Sequence, residues 1–189
     1  MANYQAQAIQ TLRNEHRTMA FLLDLLEQQV NLFKLTKRPD YDLIKEVLDY
    51  FLTYPDICHH PKENLILRKL KVRNPEAAER VLNLEIEHDK CSERLGEFSR
   101  AVINVLLDAE ISRETFIDIA NEFIQGERAH MFAEEHEFFP VALRCLSEDD
   151  WLEIDEKIIH FRDPLAADES LRFALLRECI LGQRHSQAS

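Results

Sequence analysis

The feature that most restricts the fold is the spacing of the apolar residues, which recur at alternating steps of four and three. In the first such stretch the positions are Leu12, His16, Met19, Leu23, Leu26, Val30 and Phe33. This spacing places every one of them on a single face of an α-helix, as in a helix that packs along the seam of a bundle. A histidine therefore occupies a position where an apolar side chain is expected.

Similar stripes continue along the chain and predict four long helices. Their approximate bounds are residues 5–35, 40–71, 75–109 and 112–145. The chain has only three glycines and six prolines, and it contains no Asn-Gly or Asp-Gly hairpin turn. The expected fold class is therefore all-α, and the short connections between helices predict an up-down-up-down antiparallel four-helix bundle.

The C-terminal part is expected to add one or two further helices. A fifth helix is predicted to begin at Ser147, because Ser147 and Asp150 have capping-box spacing, and a short sixth segment is predicted over 170–181. The expected division is a metal-binding bundle over 1–146, a helical extension packed on it over 147–181, and a disordered tail over 182–189.

Charge and composition exclude several classes of partner. The formal net charge is −12, which argues against nucleic-acid backbones and anionic membranes. The N-terminus has no signal-peptide pattern and no apolar run has the length of a membrane span, so a cytoplasmic protein is expected. The four cysteines form no CxxC pair and are expected to be reduced thiols.

One histidine lies on the seam of each predicted helix. These histidines are His16, His59, His88 and His130. Distances along the chain from the predicted connections, near residues 38, 74 and 111, place them within about one helical turn of a common level. Glu63 and Glu134 follow His59 and His130 by four residues, so each carboxylate shares a helix face with its histidine.

This combination of side chains is typical of a metal site. Carboxylates from two opposing helices can each bridge two ions, and imidazoles can complete the coordination. Nitrogen and carboxylate ligands suit iron, with manganese or zinc as competitors. A single seam histidine is more often a core residue than a ligand, but burying four imidazoles and two carboxylates without a metal would be costly. The combined pattern therefore predicts a carboxylate-bridged site for two metal ions.

Residues beside these ligands allow further predictions. His60 is included among the predicted metal ligands. It lies about 100° around the helix from His59, so lining an entry to the site or a solvated position are alternatives. Pro61 predicts a kink or local widening, and Gly126 predicts a close approach of another element to the fourth helix. Surface positions are predicted for the remaining histidines and two glutamates, namely His136, His160, His185, Glu135 and Glu137.

The pattern His16, His59-His60-Pro61-Lys62-Glu63, His88 and His130-x-x-x-Glu134 with Phe139-Pro140 resembles the hemerythrin-like (HHE cation-binding) family over about residues 8–145. The resemblance implies a four-helix bundle with two iron ions in an Fe–O–Fe or Fe–OH–Fe centre bridged by Glu63 and Glu134. Two positions depart from the oxygen carriers. Leu84 stands where they have a second histidine, and Glu134 stands where they have an aspartate. One ion therefore lacks a ligand unless His60 or water supplies it.

Two functions stay open at this point, and so does the question of whether the protein is an enzyme. The first is binding or sensing of dioxygen, nitric oxide or a related small ligand. The second is a di-iron enzyme acting on peroxide or nitric oxide, or a role in iron storage or iron repair. A third hypothesis is a metal that only stabilises the fold. The expected partners are a small diatomic ligand or peroxide, with a homodimer as a candidate assembly and stress response as the expected setting.

Overall fold

The computed structural model describes residues 7–81, 83–107 and 111–161, together with residues 173, 176, 178 and 179. Within these residues the regular structure is helical and no strand occurs, which confirms the all-α fold class. The α-helices are α1 (Gln7–Lys34), α2 (Tyr41–Phe51), α3 (His60–Arg73), α4 (Pro75–Val81), α5 (Asn83–Leu106), α6 (Arg113–Ala133), α7 (Phe139–Cys145) and α8 (Glu148–Ile158). None of the described helices is long and apolar enough to cross a membrane.

Two of the four long helices predicted from the sequence are not continuous α-helices. The second divides into α2, a π-helical turn over Pro55–His59 and α3, and the fourth divides into α6, a π-helical turn over Glu134–Phe138 and α7. We call these segments the first and the second π turn. The third predicted helix corresponds to α4 and α5, which lie on either side of residue 82, and its predicted end at 109 lies outside the described residues.

Pro61 explains the first π turn. Proline has no N–H to donate to the carbonyl four residues earlier, and its ring crowds that carbonyl. The chain responds by widening, because the N–H of His60 donates to the carbonyl of Pro55, five residues earlier. The widening predicted at Pro61 is thus confirmed.

The second π turn has the same cause, although it was not predicted. Pro140 occupies the second position of α7, just as Pro61 occupies the second position of α3. The N–H of Phe139 donates to the carbonyl of Glu134, again five residues earlier. Both helices therefore continue through a proline by adding one residue to a turn.

Polar side chains fix where several helices begin. The Asp40 carboxylate accepts the N–H groups of Asp42 and Leu43 at the start of α2, which is N-capping. The capping box predicted for the fifth helix is confirmed, since Ser147 and Asp150 exchange hydrogen bonds at the start of α8.

The last described helix packs on the rest of the molecule. Helix α8 contacts α1 and α3, and its Asp155 accepts the N–H of Ala8 at 2.7 Å near the start of α1. Of the predicted sixth segment, Phe173 and Leu176 are buried against the core, while most of it and the tail over 182–189 lie outside the described residues. The division into a bundle and an extension stays a prediction.

Two apolar clusters fill the interior. One joins α1, α2, α5 and α6 and includes Leu23 and Phe123, and the other joins α1, α3, α7 and α8 and includes Leu12 and Trp151. Along α1 the second cluster ends at Leu12 and the first begins at Met19, which leaves His16 between them. The predicted metal ligands of the other segments fall at the same boundary, so a polar layer lies between two apolar regions.

Candidate metal centre

The structure brings all seven predicted site residues into two adjoining groups. His16, His59, Glu63 and Glu134 each offer one ligand atom, and these atoms lie within 4.8 Å of one another. His60, His88 and His130 form a second group with the same limit. We call these groups subsite 1 and subsite 2.

Glu63 faces both subsites. Its Oε1 lies 3.4 Å from Nε2 of His59, and its Oε2 lies 3.3 Å from Nε2 of His88. The two histidines belong to different subsites, so each carboxylate oxygen is directed toward one of them. This is the arrangement expected of a carboxylate that bridges two ions.

Glu134 repeats the arrangement from the opposite side. Its Oε2 lies 3.1 Å from Nε2 of His16, and its Oε1 lies 3.0 Å from Nε2 of His130 and 3.6 Å from that of His88. Both carboxylates are fully buried. Two buried carboxylates thus separate the imidazoles of subsite 1 from those of subsite 2.

Unpartnered polar atoms show that these side chains fit a metal. Several atoms are buried and, among the described residues, make no hydrogen bond of acceptable geometry: both oxygens of Glu63, both oxygens of Glu134, and Nε2 of His88 and of His130. The atoms are close but do not point at one another, which is expected when their lone pairs converge on a common point. Leaving such groups unsatisfied is costly, and a cation would satisfy them together.

The spacing of the ligand atoms agrees with this interpretation. Bonds of about 2.1 Å at a right angle place two ligand atoms about 3.0 Å apart. The oxygen–nitrogen distances across the cluster run from 3.0 to 3.6 Å, and Nε2 of His16 lies 3.1 Å from Nε2 of His59. The side chains are therefore spaced as neighbouring ligands of an ion would be.

A buried hydrogen-bond chain holds His59. Nδ1 of His59 lies 2.9 Å from Oε2 of Glu15, and a carboxylate can only accept, so Nδ1 carries the proton and Nε2 faces the site. The other oxygen of Glu15 accepts from Nζ of Lys62, which is only 1% exposed. The Lys62 ammonium also lies 5.8 Å from the centre of the Tyr54 ring. A cation, a carboxylate and an imidazole are thus linked away from solvent.

His16 is held by a second chain of the same kind. Its Nδ1 donates to Oε1 of Glu135 at 3.0 Å, and Nε of Arg13 donates to the other oxygen of Glu135 at 3.0 Å. The surface position predicted for Glu135 holds only in part, since its side chain is 26% exposed and is bonded to both Arg13 and His16. His60 has a simpler partner, because its Nδ1 donates to the exposed carboxylate of Asp56 at 3.1 Å.

The carboxylates change the protonation of the imidazoles. Burial opposes a charge on His59, but Glu63 and Glu15 outweigh burial and raise its pKa to about 10. For His88, burial again opposes the charge, and Glu134 and Glu63 raise the pKa to about 9. In the metal-free protein both rings are therefore protonated on both nitrogens at neutral pH. Metal binding has to displace the proton on Nε2, the nitrogen that faces the site.

Sequence reasoning missed four residues behind the ligands, namely Glu15, Lys62, Glu135 and Asp56. Asp56 could have been found, because it precedes His60 by four residues and therefore shares its helix face. The contact between Glu15 and His59 joins two different helices and has no local signal. Exposed positions are confirmed for His136, His160 and Glu137, and His185 lies outside the described residues.

The close approach predicted at Gly126 is confirmed. A Cβ at this position would lie 2.2 Å from Nε of Arg94, so glycine leaves room for the arginine to cross α6. The same guanidinium donates to Sγ of Cys91 at 3.2 Å. Cys58 and Cys91 are buried free thiols, and burial raises the pKa of Cys91.

Imidazoles gathered around two buried carboxylates inside an all-helical fold define a metal-binding protein. The comparison with family models gives the particular family. The model described as Hemerythrin HHE cation binding domain matches residues 7–142, and the chain belongs to this family. Comparisons with curated proteins and with solved structures found no match.

Proposed function

We propose that this protein holds two iron ions, one at each subsite, and binds dioxygen, nitric oxide or a related small ligand at an open coordination position. The observation that carries the proposal is the division of the carboxylate oxygens of Glu63 and Glu134 between the two subsites, with no hydrogen bond from any described residue to any of the four oxygens. Iron would supply an exchangeable coordination position and a change of oxidation state. Manganese or zinc would fit the same donor atoms.

The number of ligand atoms differs between the subsites. Subsite 1 offers His16, His59 and one oxygen from each carboxylate, and subsite 2 offers His60, His88, His130 and the other two oxygens. Four protein atoms against five leave more room for an added ligand at subsite 1. The Phe139 ring, stacked on His16 with the centroids 5.5 Å apart, limits the water around that position.

His60 is proposed as the ligand that subsite 2 would otherwise lack. Leu84, at the position where the oxygen carriers have a histidine, is 6% exposed and belongs to an apolar cluster, so it offers no donor atom. The His60 ring stacks on His88 with the centroids 3.8 Å apart and the planes 17° apart. His60, from α3, would thus supply the metal ligand that the oxygen carriers supply from a histidine at the position of Leu84.

The remaining expectations belong to this proposal. We infer that the four long segments run up-down-up-down, which the short connections between them support. A cytoplasmic location, the absence of nucleic-acid or membrane partners and a homodimer stay predictions from the sequence.

The first test is the metal content of protein purified without added metal, together with its absorption spectrum before and after exposure to air. About two irons per chain and an iron-dependent near-ultraviolet band that changes in air are expected. Absence of iron after anaerobic reconstitution, or a single zinc with no optical change, would overturn the proposal. Glu63→Gln serves as the site variant, and Glu137→Gln, at an exposed position, serves as its control.

The second test separates binding from catalysis. The iron-loaded protein is mixed with dioxygen, nitric oxide or peroxide, and both the spectrum and the loss of the added compound are followed. Reversible spectral change without consumption supports a binding or sensing protein. Repeated consumption of peroxide or nitric oxide would instead support the alternative function, a di-iron enzyme.

A further inference from the structure

A groove on the outer side of α1 and α6 leads to the edge of subsite 1. Its volume is about 660 Å³, and the His16 ring forms part of its wall. The groove lies behind His16, on the side of the ring that carries Nδ1 and its partner Glu135. It is therefore separate from the cluster of ligand atoms.

Three arginines line the groove, Arg13, Arg17 and Arg128. Two of them are already paired with carboxylates, Arg13 with Glu135 and Arg128 with Asp24 and Glu27. Arg17 has no carboxylate partner among the described residues, since it bonds to Asn14. An unpaired guanidinium at a concave surface attracts anionic ligands.

The arginines keep donors available for a ligand. Arg17 bonds only to Asn14, through one terminal nitrogen, within the part of the chain that the structure describes. Arg13 uses its Nε for Glu135, and Arg128 uses one terminal nitrogen for Asp24 and Glu27. A guanidinium has five N–H donors in a planar arrangement that matches a carboxylate, so each of the three retains free donors.

The rest of the lining is apolar. The Phe132 side chain is 62% exposed and stacks on His136 with ring centroids 3.8 Å apart. Ala20 and Met131 contribute further apolar surface. An exposed aromatic face beside guanidinium groups suits a ligand that combines an apolar body with an anionic group.

We propose that this groove binds a small organic carboxylate, with the carboxylate held by the arginines and the apolar body on Phe132. Binding itself does not depend on the metal. One consequence rests on the proposed function. A carboxylate that pairs with Arg13 competes with Glu135, which accepts the hydrogen bond from Nδ1 of His16. A ligand bound in the groove would therefore alter the position of His16 in subsite 1.

The binding test uses the metal-free 189-residue chain and isothermal titration with benzoate, acetate, inorganic phosphate and benzyl alcohol. Benzoate is expected to bind with one-to-one stoichiometry and at least about tenfold more tightly than acetate or benzyl alcohol, which lack the apolar body or the charge. Absence of saturable benzoate binding overturns the proposal. Tighter binding of phosphate than of benzoate overturns the choice of carboxylate.

Variants locate the binding. Arg17→Gln should weaken benzoate binding at least about fivefold, because this arginine has no described carboxylate partner and its loss leaves the helix contacts intact. Arg144→Gln, an exposed arginine on α7, is the matched control and should bind as the parent does. Equal affinity of the parent and Arg17→Gln would place the ligand elsewhere and overturn the proposal.

The link to subsite 1 is tested with metal-loaded protein. Benzoate at saturating concentration should shift the absorption of the metal site, and Arg17→Gln should require at least about fivefold more benzoate for the same shift. An unchanged spectrum despite measured binding would overturn the link. Because binding is measured without metal and metal content is measured without benzoate, failure of this inference and failure of the proposed function are distinguishable.

Discussion

His60 lies in the cluster because of its own hydrogen bond and its ring contact. The sequence left three interpretations for this residue, since a regular helix directs it away from His59. The structure places its ring against His88 and its Nδ1 on Asp56, with a side chain only 12% exposed. Its role as a ligand is the part of the proposed site that a single substitution can test.

His60→Ala is expected to reduce the metal content from about two ions to about one per chain, because subsite 2 would keep only two imidazoles. Metal is measured by elemental analysis after reconstitution and removal of excess metal. His136→Ala, at an exposed histidine in the second π turn, is the control and should retain the parent content. Retention of both ions by His60→Ala would rule out its role as a required ligand.

Lys62 is a buried cation whose partner Glu15 is also buried. Lys62→Met leaves one oxygen of the Glu15 carboxylate without a donor, while protonated His59 still bonds the other oxygen, so we expect a loss of about 1–3 kcal/mol in the free energy of unfolding of the metal-free protein. Urea denaturation measures this loss. Lys69→Met, on the outer part of the same helix, should change stability much less.

The double variant Glu15→Gln, Lys62→Met separates charge balance from positioning. Removing both charges should recover most of the lost stability. The metal affinity should nevertheless fall about 10–100-fold, because His59 loses the carboxylate that orients its ring. Full recovery of both stability and affinity would show that Glu15 does not position His59.

At the scale of the elements, each π turn contains a candidate metal ligand at one of its ends. The first ends at His59 and the second begins at Glu134. One proline after each turn explains both, yet only Pro61 was recognised from the sequence, because it stands among the candidate ligands. Pro140 lies six residues beyond Glu134, where the apolar spacing continues without interruption, and a wider turn was not predicted there although the same effect of proline applies.

Pro61→Ala restores the missing N–H donor and should let α2 and α3 approach a regular α-helix across the first π turn. The helix content by circular dichroism should stay equal or rise slightly, while metal content falls, because His59 and His60 turn relative to Glu63. Pro75→Ala, at the first position of α4, is the control, since proline is well tolerated there. Unchanged metal content would show that the site does not require the π turn.

The elements also show which parts of the molecule can be predicted. Apolar periodicity locates α1 and α6 and places His16 and His130 on inward faces, because burial follows helical spacing. Contacts such as Glu15 with His59 join residues from two helices. They depend on rotation and translation between helices, which the periodicity of one helix does not contain.

For the whole molecule, the protonated imidazoles predict a pH dependence in the metal-free state. Histidine in the unfolded chain titrates near 6.5, whereas the folded protein raises the pKa of His88 to about 9 and that of His59 to about 10. A histidine whose pKa is raised on folding stabilises the fold fully below about pH 6.5, and this stabilisation is lost as the pH rises through the folded-state pKa. Stability should therefore fall between pH 7 and pH 10.

Urea midpoints of the metal-free protein at intervals across this range measure the effect. His59→Gln should show a shallower decline, because it removes the group with the higher pKa. His160→Gln, an exposed histidine, should follow the parent curve. A parent protein whose midpoint stays constant or rises across this range would contradict the charge arrangement described for the metal-free site.

The polar layer between the two apolar clusters has a consequence for how the molecule opens. Each cluster can retain its own contacts when the layer between them is strained by unpaired groups, so amide protons on either side should exchange with solvent independently in the metal-free protein. Ions bound to ligands from α1, α3, α5 and α6 would tie the two regions into one unit. Amide protons in both apolar clusters would then exchange slowly and at a common rate. The metal would thus determine the cooperativity of unfolding as well as the chemistry of the site.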